Sequence, residues 1–238
     1  MKLSRLIANL FYPDNLKCVI CDAELPKETR YNVCDKCQLS YNVKFCQRCG
    51  RPIANMAEYC DYCKENKYSF KKARSAFVYE DEVRHLVHKL KYGNAKYLGK
   101  TMAQFMADVY YESGFDVDVI SYVQMYPKAE KERGYNQAKV LAEELSKIIN
   151  VPIETLLFRQ KYTPHLAKMS KEERALAISD AYAVMPVESV KNKRILLIDD
   201  VFTTGATTNE CAKVLKKAKC DDIFVLTFAS GKLKPLLY

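Results

Sequence analysis

The chain has 238 residues, of which 49% are hydrophobic, and its formal net charge is +9. This composition supports a folded core and excludes a wholly disordered protein, while the length allows one large domain, or a medium domain with a small one. No apolar run approaches the roughly 18 residues that a membrane-spanning helix needs. A basic surplus suits phosphate-bearing ligands or nucleic acid, although an ordinary solvated surface gives the same count.

Residues 1–15 carry apolar side chains at the spacing of an amphipathic helix. These are Leu3, Leu6, Ile7, Leu10 and Phe11. The stretch is too short and too interrupted for the apolar part of a secretory signal. We predict a helix that packs on the body of the protein, with docking to a membrane surface or a partner as the alternative.

Residues 16–66 are predicted to form a double zinc ribbon. Eight of the ten cysteines form four Cys-x-x-Cys pairs: Cys18/Cys21, Cys34/Cys37, Cys46/Cys49 and Cys60/Cys63. Two such pairs complete a tetrahedral site for a structural Zn²⁺, so the block predicts two zinc ions. The sequence shows no secretory signal, which argues against disulfides, and four dithiols argue against a single redox centre.

The pairing of the cysteines stays open at this point. Two sequential sites are the simplest assignment, and the alternative joins the first pair to the fourth and the second to the third. Cys211 and Cys220 stand alone and are interpreted as small core residues.

Residues 67–238 alternate between strand and helix patterns, which indicates an α/β domain with a parallel sheet. Strands are predicted at Arg74–Tyr79, Val117–Val123, Ile153–Phe158, Arg194–Ile198 and Ile223–Thr227. Helices are predicted from Asp81 to near Gly93 and at Leu98–Tyr111, Asn136–Ile149 and Ala206–Ala218. His85 and His88 share one helix, but no third metal ligand is visible near them, which favours packed or solvated histidines.

A phosphate loop is predicted where the strand Arg194–Ile198 ends. Two carboxylates follow this strand, then a loop of small residues, then a helix. The segment consists of Asp199, Asp200, Thr203, Thr204, Gly205, Ala206 and Thr207. Glycine lets the backbone approach a ligand, and the amides at a helix start favour a phosphate. The carboxylates suit the vicinal hydroxyls of a ribose, and one can hold Mg²⁺. The competing interpretation is a structural strand–helix turn.

The segment Ile195–Thr207 resembles the phosphoribosyl pyrophosphate signature of type I phosphoribosyltransferases. With the cysteine block before it, nearly the whole chain resembles the ComF family of competence proteins. Leu90–Gly93 and Arg133–Gln137 are similar to the family's Lys-Tyr-x-Gly and Arg-Gly-Phe-Asn-Gln motifs. A third family segment is matched in part by Thr163–Arg174.

The resemblance implies that residues 67–238 form a phosphoribosyltransferase-like domain that binds phosphoribosyl pyrophosphate and Mg²⁺ through the phosphate loop. It also implies that Tyr126–Gly134 binds the pyrophosphate. The residues assigned to that group are Lys128, Lys131, Arg133 and Gly134. The residues assigned to catalysis are Asp199, Asp200 and Arg133. The alternative for Tyr126–Gly134 is a solvated charged loop, because glutamates are interleaved with its cations.

The function that the resemblance implies is uptake of transforming single-stranded DNA in natural competence. It implies a cytoplasmic protein at the inner face of the membrane, with a ComFA-type ATPase as partner. Whether the domain transfers pentosyl groups, as a glycosyltransferase, is left open. The chain departs from the family pattern at Ser121–Met125, Leu166 and Ala177. These departures argue against an acceptor pocket of the family type more than against ligand binding by the phosphate loop. The alternatives are a salvage phosphoribosyltransferase and a non-enzymatic nucleic-acid or partner-binding module.

Overall fold

The computed structural model describes residues 17–25, 29, 31–37, 39–53, 57–162, 178–185 and 187–232. The predicted helix at residues 1–15 and the partial family match at Thr163–Arg174 lie outside the described residues. The chain divides into two compact units, Met1–Leu39 and Ser40–Tyr238. Within the described residues, none of the helices combines the length and the apolar composition that a membrane span requires.

The second unit is built on a four-stranded parallel sheet. The strands of this unit are β1 Lys72–Val78, β2 Val119–Tyr122, β3 Leu157–Arg159, β4 Tyr182–Val184, β5 Ile195–Phe202 and β6 Ile223–Ser230. The main sheet has the order β1-β6-β5-β2, and every neighbouring pair in it is parallel. Strands β3 and β4 form a separate antiparallel pair. The predicted parallel α/β fold is confirmed.

Six α-helices are described in this unit. They are α1 Asp61–Glu65, α2 Asp81–Tyr92, α3 Leu98–Ser113, α4 Pro127–Arg133, α5 Gln137–Ile149 and α6 Ala206–Lys217. A short 3₁₀ turn spans Val187–Ser189. Helices α3 and α5 pack closely at Gly99, where an added Cβ would lie 2.4 Å from a methyl carbon of Val140. Helices α2, α3, α5 and α6 begin and end close to the bounds predicted from the sequence.

The centre of the sheet lies in β5 and β6. The first four residues of β5, Ile195–Ile198, are fully buried, and all eight residues of β6 are buried. Strands covered on both faces read as continuous apolar runs, which is why both were predictable. Strand β5 continues beyond its apolar run to Phe202, so Asp199 and Asp200 lie within the strand and have fixed backbones.

Two predicted segments differ from the structure. The predicted strand Ile153–Phe158 divides, because Ile153 makes only a single parallel bridge to Ile120 before the chain turns away to form β3 with β4. The basic segment Tyr126–Gly134, expected as a loop, contains helix α4. Pro127 suits the first turn of a helix, and the Lys, Glu, Ala and Arg residues that follow favour helix.

The second half of the predicted ribbon segment belongs to the same compact unit as the sheet. Its turn Cys46–Cys49, called the second zinc knuckle, lies against β1, because the Ala73 N–H donates to the Arg48 carbonyl at 2.8 Å. Gly50 adopts a left-handed φ of +68°, and a Cβ there would lie 2.6 Å from the Ala73 carbonyl oxygen. The division between compact units therefore falls after Leu39, inside the predicted segment 16–66. The predicted domain boundaries stay a prediction.

Candidate functional site: two cysteine clusters and a phosphate loop

The first cysteine cluster lies in the unit Met1–Leu39. The sulfur atoms of Cys18, Cys21, Cys34 and Cys37 all lie within 4.8 Å of one another. Burial acts to raise the pKa of the Cys18 thiol, but backbone hydrogen bonds at Cys21 and Cys34 outweigh it and lower that pKa to about 7. A lowered pKa favours the thiolate, which is the form that binds a metal. Together with the short distances among the four sulfur atoms, it makes this cluster suited to Zn²⁺.

The second cluster is formed by Cys46, Cys49, Cys60 and Cys63, which are all buried, with sulfur atoms within 4.8 Å of one another. Hydrogen bonds from the neighbouring thiols hold the pKa of Cys46 far below its ordinary value. The two clusters use sequential pairs, so the crossed pairing is wrong. Four cysteines close each coordination shell, which makes the zinc sites structural rather than catalytic.

The remaining predicted metal and thiol assignments follow from burial and packing. Cys211 and Cys220 are buried and free, which confirms them as core residues. The His88 ring lies 4.9 Å from the Tyr92 ring. Across the part of the chain that the structure describes, the two cysteine clusters are the groups suited to hold a metal with three or more such ligands, and neither helix histidine is in them.

The phosphate loop joins β5 to α6. Gly205 is the N-cap of α6 and has a left-handed φ of +75°. A Cβ at this position would lie 2.4 Å from the Phe202 ring and 3.0 Å from the Tyr68 ring, so only glycine fits. The Thr204 hydroxyl accepts a hydrogen bond from the Ala206 N–H at 3.3 Å. The helix start is therefore open toward a small pocket, whose lining includes Asp199, Thr203, Gly205, Ala206 and Thr207.

The two carboxylates before the loop have opposite electrostatic environments. Burial raises the pKa of Asp199 well above its ordinary value, and the negative charge of Asp200 adds to the effect. Burial acts in the same direction on Asp200, but the positive charge of Lys91 outweighs it and lowers the Asp200 pKa. The Lys91 Nζ lies 2.6 Å from the Asp200 Oδ2. At neutral pH Asp200 is therefore the more firmly ionised of the two.

Lys91 was assigned no role from the sequence, and it reaches the site from the last turn of α2. The signal that could have found it is its place in the Leu90–Gly93 motif. Gln137, at the start of α5, also acts to lower the pKa of the Asp200 carboxyl. Burial alone would lower the pKa of the Lys91 ammonium, but Asp200 raises it, so the cation is retained in the site.

Arg133 is the member of the basic segment that the structure brings toward the carboxylates. Its guanidinium donates to the Gln137 side-chain oxygen and lies 5.1 Å from the centre of the Tyr92 ring. Gly134 has a left-handed φ of +87° and ends α4. Lys128 and Lys131 are exposed on that helix. Arg133 thus pairs with Gln137 at the start of α5, and Lys91 pairs with Asp200, whereas the role of the two lysines stays a prediction.

Two family models match the chain. One describes a double zinc ribbon domain and covers residues 7–64, and the other describes a phosphoribosyl transferase domain and covers residues 133–235. The chain therefore joins a double zinc ribbon to a phosphoribosyltransferase-type domain with a parallel sheet.

Curated relatives match most of the chain. Competence protein F of Haemophilus influenzae is 26% identical over 89% of this chain and 95% of its own length. Competence protein ComFC of Bacillus subtilis is 28% identical over 92% of this chain and 85% of its own length. DNA utilization protein YhgH of Salmonella typhimurium is 23% identical over 83% of this chain and 89% of its own length. These relatives confirm the resemblance to the ComF family.

Solved structures with related folds are also found. The glutamine phosphoribosylpyrophosphate amidotransferase from B. subtilis is 22% identical, with 59% of this chain and 26% of that chain covered and a TM-score of 0.37. The purine phosphoribosyltransferase from Pyrococcus horikoshii is 20% identical, with 54% of this chain and 70% of that chain covered and a TM-score of 0.35.

Because the two carboxylates have opposite electrostatic environments, we expect their replacement by asparagine to have opposite effects on the stability of the fold. A carboxyl with a raised folded-state pKa contributes stability at low pH that is lost as the pH rises toward that pKa. Asp199→Asn should therefore stabilise the chain, and the gain should be larger at about pH 8 than at about pH 4. Asp200→Asn should lower the free energy of unfolding at neutral pH by about 1–3 kcal/mol, because it leaves the Lys91 cation without its partner.

Urea denaturation of the zinc-loaded variants measures both effects. We expect Asp200→Asn to lower the free energy of unfolding by less than the loss of a fully buried ion pair would, because the Lys91 side chain keeps 23% of its surface exposed. Equal stability of the two variants across this pH range would contradict the assignment of one carboxylate to Lys91.

Proposed function

We propose that this ComF-like protein binds phosphoribosyl pyrophosphate together with Mg²⁺ through the loop Asp199–Thr207. One observation carries the proposal. Two adjacent carboxylates, the buried Asp200 and the half-buried Asp199, lie beside a glycine-capped helix start, toward the carboxyl end of a central parallel strand. That end of a parallel sheet is where α/β proteins place ligand crevices, and a helix start attracts phosphate.

Each part of the loop has a distinct role in this proposal. The 5′-phosphate lies against the backbone N–H groups of Gly205, Ala206 and Thr207. The hydroxyls of Thr203, Thr204 and Thr207 offer further hydrogen bonds to the same phosphate. Asp199 and Asp200 accept hydrogen bonds from the ribose hydroxyls.

The donor set at the carboxylates fits Mg²⁺. Carboxylate oxygens are hard ligands, and Mg²⁺ is held in proteins by one or two carboxylates together with substrate phosphates. Asp199 and Asp200 would hold the ion, directly or through water, and the ion would offset the charge of the pyrophosphate. Lys91 keeps Asp200 ionised before any ligand arrives, which leaves a carboxylate ready to accept hydrogen bonds.

The pyrophosphate is assigned to Arg133, Gly134, Lys128 and Lys131. Arg133 presents a planar guanidinium that matches phosphate geometry, and its link to Gln137 places it near the carboxylates. Transfer on this protein would break the bond between ribose C1 and the pyrophosphate oxygen and form a bond from C1 to the acceptor. Cations beside the pyrophosphate would stabilise the charge that develops on the leaving group, so Arg133 is assigned to catalysis with the two carboxylates.

We further propose that the protein acts in competence, in the uptake of transforming single-stranded DNA. The support comes from the curated relatives, which carry the names competence protein and DNA utilization protein, and from the net charge of +9. In this proposal the protein works in the cytoplasm at the inner face of the membrane, with a ComFA-type ATPase as partner. A basic surface suits the phosphates of a DNA strand.

Calorimetric titration of phosphoribosyl pyrophosphate with Mg²⁺ tests the ligand. The zinc-loaded wild type should bind saturably. Both Asp199→Asn and the double variant Asp199→Asn/Asp200→Asn should bind at least about tenfold more weakly, because each lost acceptor removes a charge-assisted hydrogen bond worth about 1.5–3 kcal/mol.

The chain offers a matched control for this titration. Asp221 and Asp222 form a second Asp-Asp pair in the turn before β6, where Asp222 pairs at the surface with Lys71. Removal of a surface pair costs little, so Asp221→Asn/Asp222→Asn should bind the ligand as wild type does. Absence of saturable binding by the folded, zinc-loaded wild type would refute the proposed ligand.

Transformation of a naturally competent host tests the proposed process. Deletion of the gene should abolish uptake of transforming DNA while growth without added nucleotides stays normal. Complementation with wild type and with Asp221→Asn/Asp222→Asn should restore uptake, whereas Asp199→Asn should not. A nucleotide growth requirement with normal transformation would instead indicate a salvage phosphoribosyltransferase.

A further inference from the structure

Arg51 is a fully buried arginine, and its hydrogen-bond acceptors among the described residues include no carboxylate. It follows the second zinc knuckle and is only 1% exposed. Its Nη2 atom donates to the Thr204 carbonyl at 2.5 Å and to the Tyr68 hydroxyl at 3.0 Å. Its guanidinium also lies 5.4 Å from the centre of the Phe202 ring. Burial of a cation without an anionic partner costs free energy, and here the buried guanidinium contacts a carbonyl of the phosphate loop.

The carbonyl that Arg51 contacts belongs to the phosphate loop. The Tyr68 hydroxyl donates to the same Thr204 carbonyl at 2.9 Å. Burial raises the pKa of Tyr68, so its hydroxyl stays protonated and remains a donor at physiological pH. The C=O and N–H of one trans peptide point in opposite directions. Two donors on the Thr204 carbonyl therefore direct the Gly205 N–H away from Arg51 and Tyr68.

The packing around the loop leaves this peptide little freedom to rotate. The Tyr68 ring stacks on the Phe70 ring at 4.6 Å between centres, and both meet the Phe202 ring edge-on. The Ser69 N–H donates to the Asn209 side chain in α6 at 2.7 Å. The segment that follows the ribbon thus fixes both the loop and the first turn of the helix.

The backbone of Arg51 is in turn tied to the zinc knuckle. The Cys46 N–H donates to the Arg51 carbonyl at 2.8 Å, and the Gly50 N–H donates to the Cys46 carbonyl at 2.9 Å. A change in the knuckle therefore moves the residue that holds the loop. The Arg51 side chain therefore links the second cysteine cluster to the phosphate loop.

We infer that Arg51 is a positioning residue for the phosphate site, and that through it the second zinc ribbon sets the orientation of the loop amides. This inference rests on the proposed phosphate role of the loop. It gives the second ribbon a task in ligand binding beyond its own stability, because a ribbon that lost its zinc would release Arg51 and with it the Thr204 carbonyl.

The test compares Arg51→Met with Arg48→Met. Arg48 lies in the same knuckle and donates to the Cys63 carbonyl at 3.3 Å, so its contact stays within the ribbon. The methionine at position 51 removes the cation without leaving a buried charge, and Tyr68 still satisfies the Thr204 carbonyl. Both variants should retain the zinc content of wild type. Arg51→Met should bind phosphoribosyl pyrophosphate with Mg²⁺ about tenfold more weakly, and Arg48→Met should match wild type.

A second readout does not depend on the ligand. In protein labelled with ¹⁵N-glycine, the chain gives amide signals from seven glycines. The Gly205 signal should shift in Arg51→Met and stay in place in Arg48→Met. Tyr68→Phe removes the other donor to the same carbonyl without altering the knuckle, and it should shift the same signal. Arg51→Lys, which keeps a cationic donor at this position, should restore part of the affinity.

The outcomes separate this inference from the proposed function. A wild type that does not bind the ligand refutes the proposed ligand, and the Gly205 signal still decides the role of Arg51. A wild type that binds, together with Arg51→Met that binds equally well and leaves the Gly205 signal unchanged, overturns the inference alone. If Arg51→Met loses its zinc, Tyr68→Phe becomes the deciding variant. An unchanged Gly205 signal in Tyr68→Phe then overturns the inference.

Discussion

Two adjacent carboxylates within a buried strand are the constraint on which the rest of the site depends. Asp199 and Asp200 follow four fully buried residues of β5, and the strand continues beyond them. Like charges this close to the core are unfavourable unless a cation or a proton compensates. Lys91 compensates Asp200, and the raised pKa of Asp199 favours its protonated form. In the proposed function, a divalent ion held by the two carboxylates would take over part of this compensation.

The cysteine clusters stabilise the cysteine-rich segment before the sheet. A segment of this length cannot bury enough apolar surface to fold alone, and a structural metal supplies the missing free energy. The second cluster does more than hold its own ribbon, because its knuckle lies along β1 and carries Arg51 to the phosphate loop. The second ribbon and the sheet thus share one compact unit, and the phosphate loop has contacts with both.

Features with local causes were predictable from the sequence. The Cys-x-x-Cys spacing specified the metal clusters, and continuous apolar runs specified β5 and β6, because each pattern reports on neighbouring residues alone. The division of Ile153–Phe158 was not predictable, since it depends on pairing with β2 on one side and with β4 on the other. Lys91 and Arg51 reach the site from distant parts of the chain, so their contacts follow from the fold and not from spacing.

The central claim is that the loop Asp199–Thr207 holds the phosphorylated ribose. A crystal structure of the zinc-loaded protein with phosphoribosyl pyrophosphate and Mg²⁺ tests it most directly. The account predicts the 5′-phosphate against the amides of Gly205, Ala206 and Thr207, with the ribose hydroxyls at the two carboxylates. A saturated crystal with this loop empty, or with the ligand bound elsewhere on the chain, would contradict the account.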